Sequence, residues 1–73
     1  MIAMRYAIVI ESSGNSYGAW VPDLPGCVAT GKSLEVVQKR IREAIALHLA
    51  GMREDGDKIP SPTVRVEYVD VAA

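Results

Sequence analysis

Residues 16–31 read SYGAWVPDLPGCVATG, and this stretch decides the fold. Apolar side chains alternate along its first half, as they do in a β-strand, at Tyr17, Ala19 and Val21. The sequence PDLPG at 22–26 then ends that strand, because a proline has no backbone N–H to donate to a sheet. The sequence CVAT at 27–30 predicts one further short strand. The stretch therefore predicts two antiparallel strands joined by a proline-containing loop.

A first strand and a hairpin turn precede this stretch. Residues 4–11, MRYAIVIE, are rich in β-branched and aromatic residues, and after Arg5 they are apolar on both faces. Residues 12–15, SSGN, are turn formers, so the first and second strands are predicted to form a β-hairpin. A strand that is apolar on both faces is typical of one covered on both sides.

An amphipathic helix is predicted next. Ser33 is a good N-cap, and Glu35 lies in the first turn, where a negative charge suits the helix dipole. Apolar residues recur at helical spacing, at Leu34, Val37, Ile41, Ala44, Ile45, Leu49 and Met52. The sequence EDGD at 54–57 is expected to end the helix.

A fourth strand is predicted at 63–69, where three apolar residues, Val64, Val66 and Tyr68, alternate with Arg65 and Glu67. The order β-β-β-α-β predicts one α+β domain over residues 1–73, with a four-stranded sheet and one helix on one face. That helix leaves the other sheet face uncovered. The uncovered sheet face and the small size of the chain together predict a homodimer or higher homo-oligomer.

The composition narrows the class of protein. The chain has 73 residues, 49% of them hydrophobic, and 8 Lys and Arg against 9 Asp and Glu, which argues against a wide nucleic-acid-binding surface. The single Cys27 and single His48 exclude a disulfide framework and the common structural zinc sites. Without a secretory or membrane-spanning segment in the sequence, we expect a cytoplasmic protein that binds no cofactor.

Four residues are candidates for chemistry, and each has a structural interpretation that we favour. His48 lies among apolar neighbours of the helix with no second histidine, so a structural role is expected. Cys27 is expected to be a buried small hydrophobe rather than a nucleophile. Glu11 and Asp23 could serve a metal-dependent nuclease only if further carboxylates converged on them. The sequence predicts no catalytic site.

The candidate partner-binding residues lie in and beside the second strand: Tyr17, Trp20, Asp23 and Leu24. Tyr17 and Trp20 alternate, so one should lie under the helix and the other on the uncovered face. Tyrosine and tryptophan are enriched at binding hot spots, and the two prolines of the loop at 22–26 pre-organise it. Asp23 could meet a basic partner, or it could cap the turn through its own backbone.

Several motifs carry a resemblance to a known family. They are YAIVIE at 6–11, GAWVPDLPGC at 18–27, Gly31, SLE at 33–35, IREAI at 41–45 and IPSP at 59–62. In these motifs the chain resembles the HicB-like antitoxin family over nearly its whole length. The VPDLPGC stretch, at this distance from a first strand and a helix start, is the most specific of them.

The resemblance implies a partial RNase H-like fold and a non-catalytic role, in which the chain binds and masks a HicA-like toxin that cleaves mRNA. Such antitoxins usually carry a C-terminal DNA-binding segment, and none follows the last predicted strand, so direct DNA binding is not expected. Two alternatives stay open: a residual metal-dependent nuclease on an RNase H-like scaffold with Glu11 and Asp23 as ligands, and an orphan regulatory domain.

Overall fold

A computed structural model describes residues 4–73 and has an α+β architecture. Three strands, β1 (Val9–Ser13), β2 (Ser16–Trp20) and β3 (Val28–Gly31), form an antiparallel sheet in the order β1-β2-β3. One helix, α1 (Leu34–Glu54), follows and packs on one face of this sheet. The predicted hairpin, proline-containing loop and helix are all present in this order.

The register of the strands determines which side chains share a face. Ala19 of β2 lies opposite Ile10 of β1 and Ala29 of β3, and all three pack in the core between sheet and helix. Because neighbouring residues of a strand point to opposite faces, the adjacent row lies on the face that α1 does not cover. That row consists of Val9, Trp20 and Val28.

The core lies where the helix, the sheet and the loop at 22–26 meet. Its fully buried side chains come from all three of these parts: Ala19, Val21, Leu24, Cys27, Val37 and Ile41. The loop is held by its own backbone, since Leu24 N donates to Val21 O at 3.0 Å and Cys27 N donates to Leu24 O at 3.0 Å. The loop is therefore joined to the core by its own backbone hydrogen bonds and by the buried Leu24.

The ends of α1 are those that the sequence predicts. Ser33 is the N-cap, and its Oγ accepts a hydrogen bond from Val36 N at 3.2 Å. At the other end, Asp55 N donates to Gly51 O at 3.0 Å. Gly56 follows with a φ of +72°, a left-handed conformation that glycine adopts without a steric penalty. Local capping interactions thus account for both boundaries.

The first strand is shorter than predicted. The sequence predicts it over residues 4–11, whereas β1 begins only at Val9. The last ladder pair is Val9 with Trp20. Beyond it, Val21 N donates to Cys27 O at 3.2 Å, so β2 turns into the loop and offers no ladder partner to residues 4–8. These residues are half-buried from Tyr6 onward but unpaired in the sheet.

The predicted fourth strand is not present among the described residues. In the structure, residues 63–69 pair with no other strand among residues 4–73, and the sheet has three strands there rather than four. The backbone N–H groups of Thr63 and Val64 donate to the side chain of Asp23 instead of to a ladder. Alternation in a sequence indicates a face that can be buried, but it does not supply a neighbouring strand. We call residues 61–73, which are exposed throughout, the C-terminal arm.

Candidate protein-binding site

An apolar row lies on the sheet face that α1 leaves uncovered, and it is the first part of the candidate site. Trp20 is 38% exposed and Val28 is 64% exposed. Val9 completes the row on β1, where it is partly buried. Exposed Trp next to aliphatic side chains is typical of a protein-binding surface rather than of a solvated sheet face. We call the Val9, Trp20 and Val28 row the uncovered face.

The four predicted partner-binding residues occupy three different environments. Trp20 lies on the uncovered face, whereas Tyr17 is on the opposite face and packs against the core, so the prediction that the two lie on opposite faces is confirmed. Leu24 is only 1% exposed and belongs to the core. Its neighbours in the loop are prolines and an aspartate, so it is the one side chain there that fills the core. Its role as a contact residue stays a prediction.

Asp23 anchors the C-terminal arm. Its Oδ2 accepts hydrogen bonds from Thr63 N at 3.0 Å and from Val64 N at 3.1 Å, and its Oδ1 accepts one from Thr63 Oγ1 at 2.6 Å. The hydrogen bond from the Thr63 hydroxyl, followed by that from Val64 N, lowers the pKa of Asp23 below its ordinary value of 3.8. Asp23 is therefore ionised at neutral pH and joins the loop to residues 40 positions later.

The arm has a second attachment near its base, and a cleft opens beyond it. The hydroxyl of Tyr6 donates a hydrogen bond to the backbone oxygen of Pro60. A cleft of about 380 Å³ lies between two extended segments, residues 5–7 and residues 64–66, which line its two sides. Sequence reasoning did not find this cleft, because it depends on how residues nearly 60 positions apart are placed.

Three of the candidates for chemistry have these environments. Cys27 is buried, and burial raises the pKa of its thiol, which disfavours the reactive thiolate. His48 lies half-buried on α1. Both carboxylate oxygens of Asp23 are engaged by the arm. Among residues 4–73, no three His, Cys, Asp or Glu side chains come together as a metal site would require.

The helix of the structure is not a membrane span. Within the described part of the chain, no helix combines the length and apolar character that crossing a bilayer requires.

Comparison with known proteins identifies relatives over most of the chain. Residues 6–72 match the model of a family described as the HicB-like antitoxin of bacterial toxin–antitoxin systems. A UPF0150 protein of Archaeoglobus fulgidus is 42% identical over 67 residues, which cover 88% of this chain and 97% of that protein. A UPF0150 protein of Helicobacter pylori is 49% identical over 47 residues, 64% of this chain and 65% of that protein.

A further relative is longer than this chain. An uncharacterized 14.9 kDa protein from the rep-hol intergenic region of Haemophilus phage HP1 is 36% identical over 67 residues. The match covers 92% of this chain and 50% of the phage protein, so this chain spans about half the length of that relative.

Proposed function

The chain belongs to the HicB-like antitoxin family of bacterial toxin–antitoxin systems, and we propose that it binds and masks a HicA-like, mRNA-cleaving toxin without catalysing a reaction itself. The observation that carries this proposal is the uncovered face, where Trp20 and Val28 are exposed side by side in the register of the sheet. An aromatic anchor next to aliphatic side chains is what a protein partner can bury.

The charge of the loop after Trp20 suits a toxin that binds RNA. Asp23 lies in this loop and, like any aspartate without a strongly raised pKa, it is negatively charged at neutral pH. A protein that binds RNA presents a positive surface, and a negative group beside the contact area steers such a partner toward it. In this proposal Trp20 supplies contact area and Asp23 supplies attraction at longer range.

We also propose the quaternary context in which this activity takes place. The single domain acts in the cytoplasm as a homodimer or higher homo-oligomer. Its RNase H-like sheet is completed by a fourth strand, formed from residues 63–69 on assembly. The alternation of the arm, with apolar Val64, Val66 and Tyr68 on one side, supports this part of the proposal.

The binding test uses a small basic HicA-like toxin in a catalytically inactive form. We expect Trp20→Ala to weaken binding of the toxin by tenfold or more, because alanine removes the aromatic anchor of the contact area. Isothermal titration calorimetry measures the affinity. Leu47→Ala is the matched control, since Leu47 is an exposed apolar residue of α1, away from the uncovered face.

The two variants separate the outcomes. Equal affinities of Trp20→Ala and the unchanged chain would remove the uncovered face from the toxin contact, and a loss of affinity confined to Leu47→Ala would place the contact on the helix. With the active toxin in a separate assay, inhibition of mRNA cleavage by the unchanged chain, and not by Trp20→Ala, would link the binding to the neutralising activity.

A further inference from the structure

The C-terminal arm is an extended segment with an apolar side that nothing in the described chain covers. Tyr68 is 94% exposed and Val66 is 56% exposed. The radius of gyration is 14.1 Å, whereas a compact domain of this length has about 11 Å. The longest dimension of the molecule is 48 Å against 27 and 21 Å for the others. An isolated strand of this kind has no stability of its own in water.

The base of the arm is nevertheless held in a defined place. Asp23 accepts three hydrogen bonds from Thr63 and Val64, and Tyr6 donates one to Pro60. These contacts direct the arm along one side of the cleft. The residues that follow, from Arg65 onward, extend from that anchored base without a ladder partner among residues 4–73.

The other side of the cleft is residues 5–7, in the segment that leads into the open edge of the sheet. β1 is an outer strand of the sheet, and residues 4–8, which lead into it, have no ladder partner. An open edge with unpaired N–H and C=O groups accepts a further strand readily. The cleft therefore lies between two backbone segments, residues 5–7 and residues 64–66, that both lack a strand neighbour.

We propose that the C-terminal arm of a second copy of this chain enters the cleft, and that the two arms pair antiparallel about Val66. Each arm then lies between the partner's β1 edge and the partner's arm, and it supplies the fourth strand that the isolated chain does not form. This inference deepens the proposed self-association and does not depend on toxin binding. The uncovered face stays free for another partner.

The sequence of the arm favours a second copy of this chain as the partner that fills the cleft. Residues 64–68 read VRVEY, and antiparallel pairing centred on Val66 sets Arg65 opposite Glu67 of the partner subunit. The twofold axis repeats this pair, so two ion pairs form on one side of the ribbon. On the other side, Val64 lies opposite Tyr68 of the partner subunit. A parallel pairing in register would instead set like charges opposite each other, which is unfavourable.

The first experiment is disulfide cross-linking through single substitutions in the arm. In the proposed register the two Cα atoms of residue 66 are about 4.5–5.5 Å apart, within the range of a disulfide. We expect Val66→Cys to form a covalent dimer under mild oxidation, seen on a non-reducing gel. Val71→Cys is the matched control, because the two copies of residue 71 lie about 33 Å apart in this register.

The unchanged chain controls for its native thiol, since Cys27 is buried. Failure of Val66→Cys to cross-link, or cross-linking of Val71→Cys at the same rate, would overturn the register. A chain that sediments as a monomer at about 100 μM would overturn the exchange of arms altogether.

The second experiment exchanges the two charges of the arm. In Arg65→Glu, the new glutamate at position 65 of each copy faces Glu67 of the partner subunit. Because these like charges repel each other, we expect the dimer dissociation constant to rise about tenfold at low salt. The double variant Arg65→Glu with Glu67→Arg restores opposite charges at both pairs, and its constant should return to within about threefold of the original. Sedimentation equilibrium measures all three proteins.

The double variant makes this test decisive. If it dissociates as readily as Arg65→Glu alone, the two side chains do not face each other and the proposal fails. Circular dichroism confirms that each variant keeps its helix. Neither readout uses the toxin, so loss of the dimer contact would contradict the arm exchange and leave the toxin-binding proposal untouched. A chain that dimerises but binds no toxin would contradict toxin binding and leave the arm exchange untouched.

Discussion

Asp23 illustrates at the residue scale how one side chain connects distant parts of this molecule. Sequence reasoning offered two roles for it, a partner contact and a cap for its own turn. In the structure the turn at 22–26 is closed by backbone hydrogen bonds, and the carboxylate of Asp23 binds Thr63 and Val64 instead. Three donors converge on one carboxylate, which favours its ionised form.

The lowered pKa of Asp23 predicts a pH dependence of stability. A carboxyl whose pKa is lower in the folded than in the unfolded chain stabilises the fold above the unfolded value, about 3.9, and loses this contribution as pH falls through the folded value. We therefore expect the free energy of unfolding to fall more steeply below pH 4 in the unchanged chain than in Asp23→Asn. Urea unfolding at a series of pH values measures this.

A substitution at the donor provides the control for this prediction. Thr63→Val removes the hydroxyl that contributes most to the lowered pKa and keeps the backbone donors. NMR titration should then find the pKa of Asp23 higher than in the unchanged chain but still below its ordinary value. An identical pKa in both proteins would show that the contact with Thr63 Oγ1 does not persist in solution.

At the scale of elements, the close approach of helix and sheet depends on Gly31. A Cβ atom built on Gly31 would lie 2.8 Å from Val37 N and 3.1 Å from Val37 Cα. Both are backbone atoms of α1, so neither can move away as a flexible side chain would. The end of β3 and the first turn of α1 can pack this closely only because residue 31 has no side chain.

We expect Gly31→Ala to destabilise the fold by about 1–3 kcal/mol, as overpacking in a core typically does. Chemical denaturation measures the change in the free energy of unfolding. Gly18→Ala is the matched control in the neighbouring strand, since a Cβ there meets no atom within 4 Å. It should be neutral or stabilise by up to about 1 kcal/mol. Equal effects of the two substitutions would contradict this account of the helix–sheet contact.

At the scale of the whole molecule, the C-terminal arm is attached to the domain by hydrogen bonds and not through the core. The core is built from β2, the loop at 22–26, the start of β3 and the first half of α1, and it contains no residue of the arm. A domain of this size buries only about 60% of its unfolded surface. Covering the arm in a second copy would add the burial that the isolated chain lacks.

This arrangement predicts that stability depends on protein concentration. If arms are exchanged between two copies, mass action raises Tm as the concentration rises. For a dimer of this size we expect an increase of about 3–6 °C for each tenfold increase in concentration. Differential scanning calorimetry between about 10 and 500 μM measures it. A Tm independent of concentration over this range would indicate that unfolding is not coupled to dissociation.

The sequence by itself determined the features that depend on near neighbours along the chain. The hairpin turn at 12–15, the break at 22–26 and the helix from Ser33 to Glu54 follow from turn formers, prolines and capping residues, which act within a few positions. Tyr17 and Trp20 lie on opposite faces because side chains along a strand alternate between the two faces of the sheet. The family resemblance was also available from the sequence, because its motifs are contiguous.

The tertiary structure alone decided the features that depend on contacts between distant residues. Leu24 is buried because it packs with Val37 and Ile41 of α1, and no local pattern distinguishes a buried loop leucine from an exposed one. The partner of Asp23 lies 40 residues further along the chain. The alternation at 63–69 predicted a strand, but a strand exists only where another backbone segment lies beside it. Residues 4–73 provide no such neighbour for the arm, since Asp23 holds its base and a cleft separates it from residues 5–7.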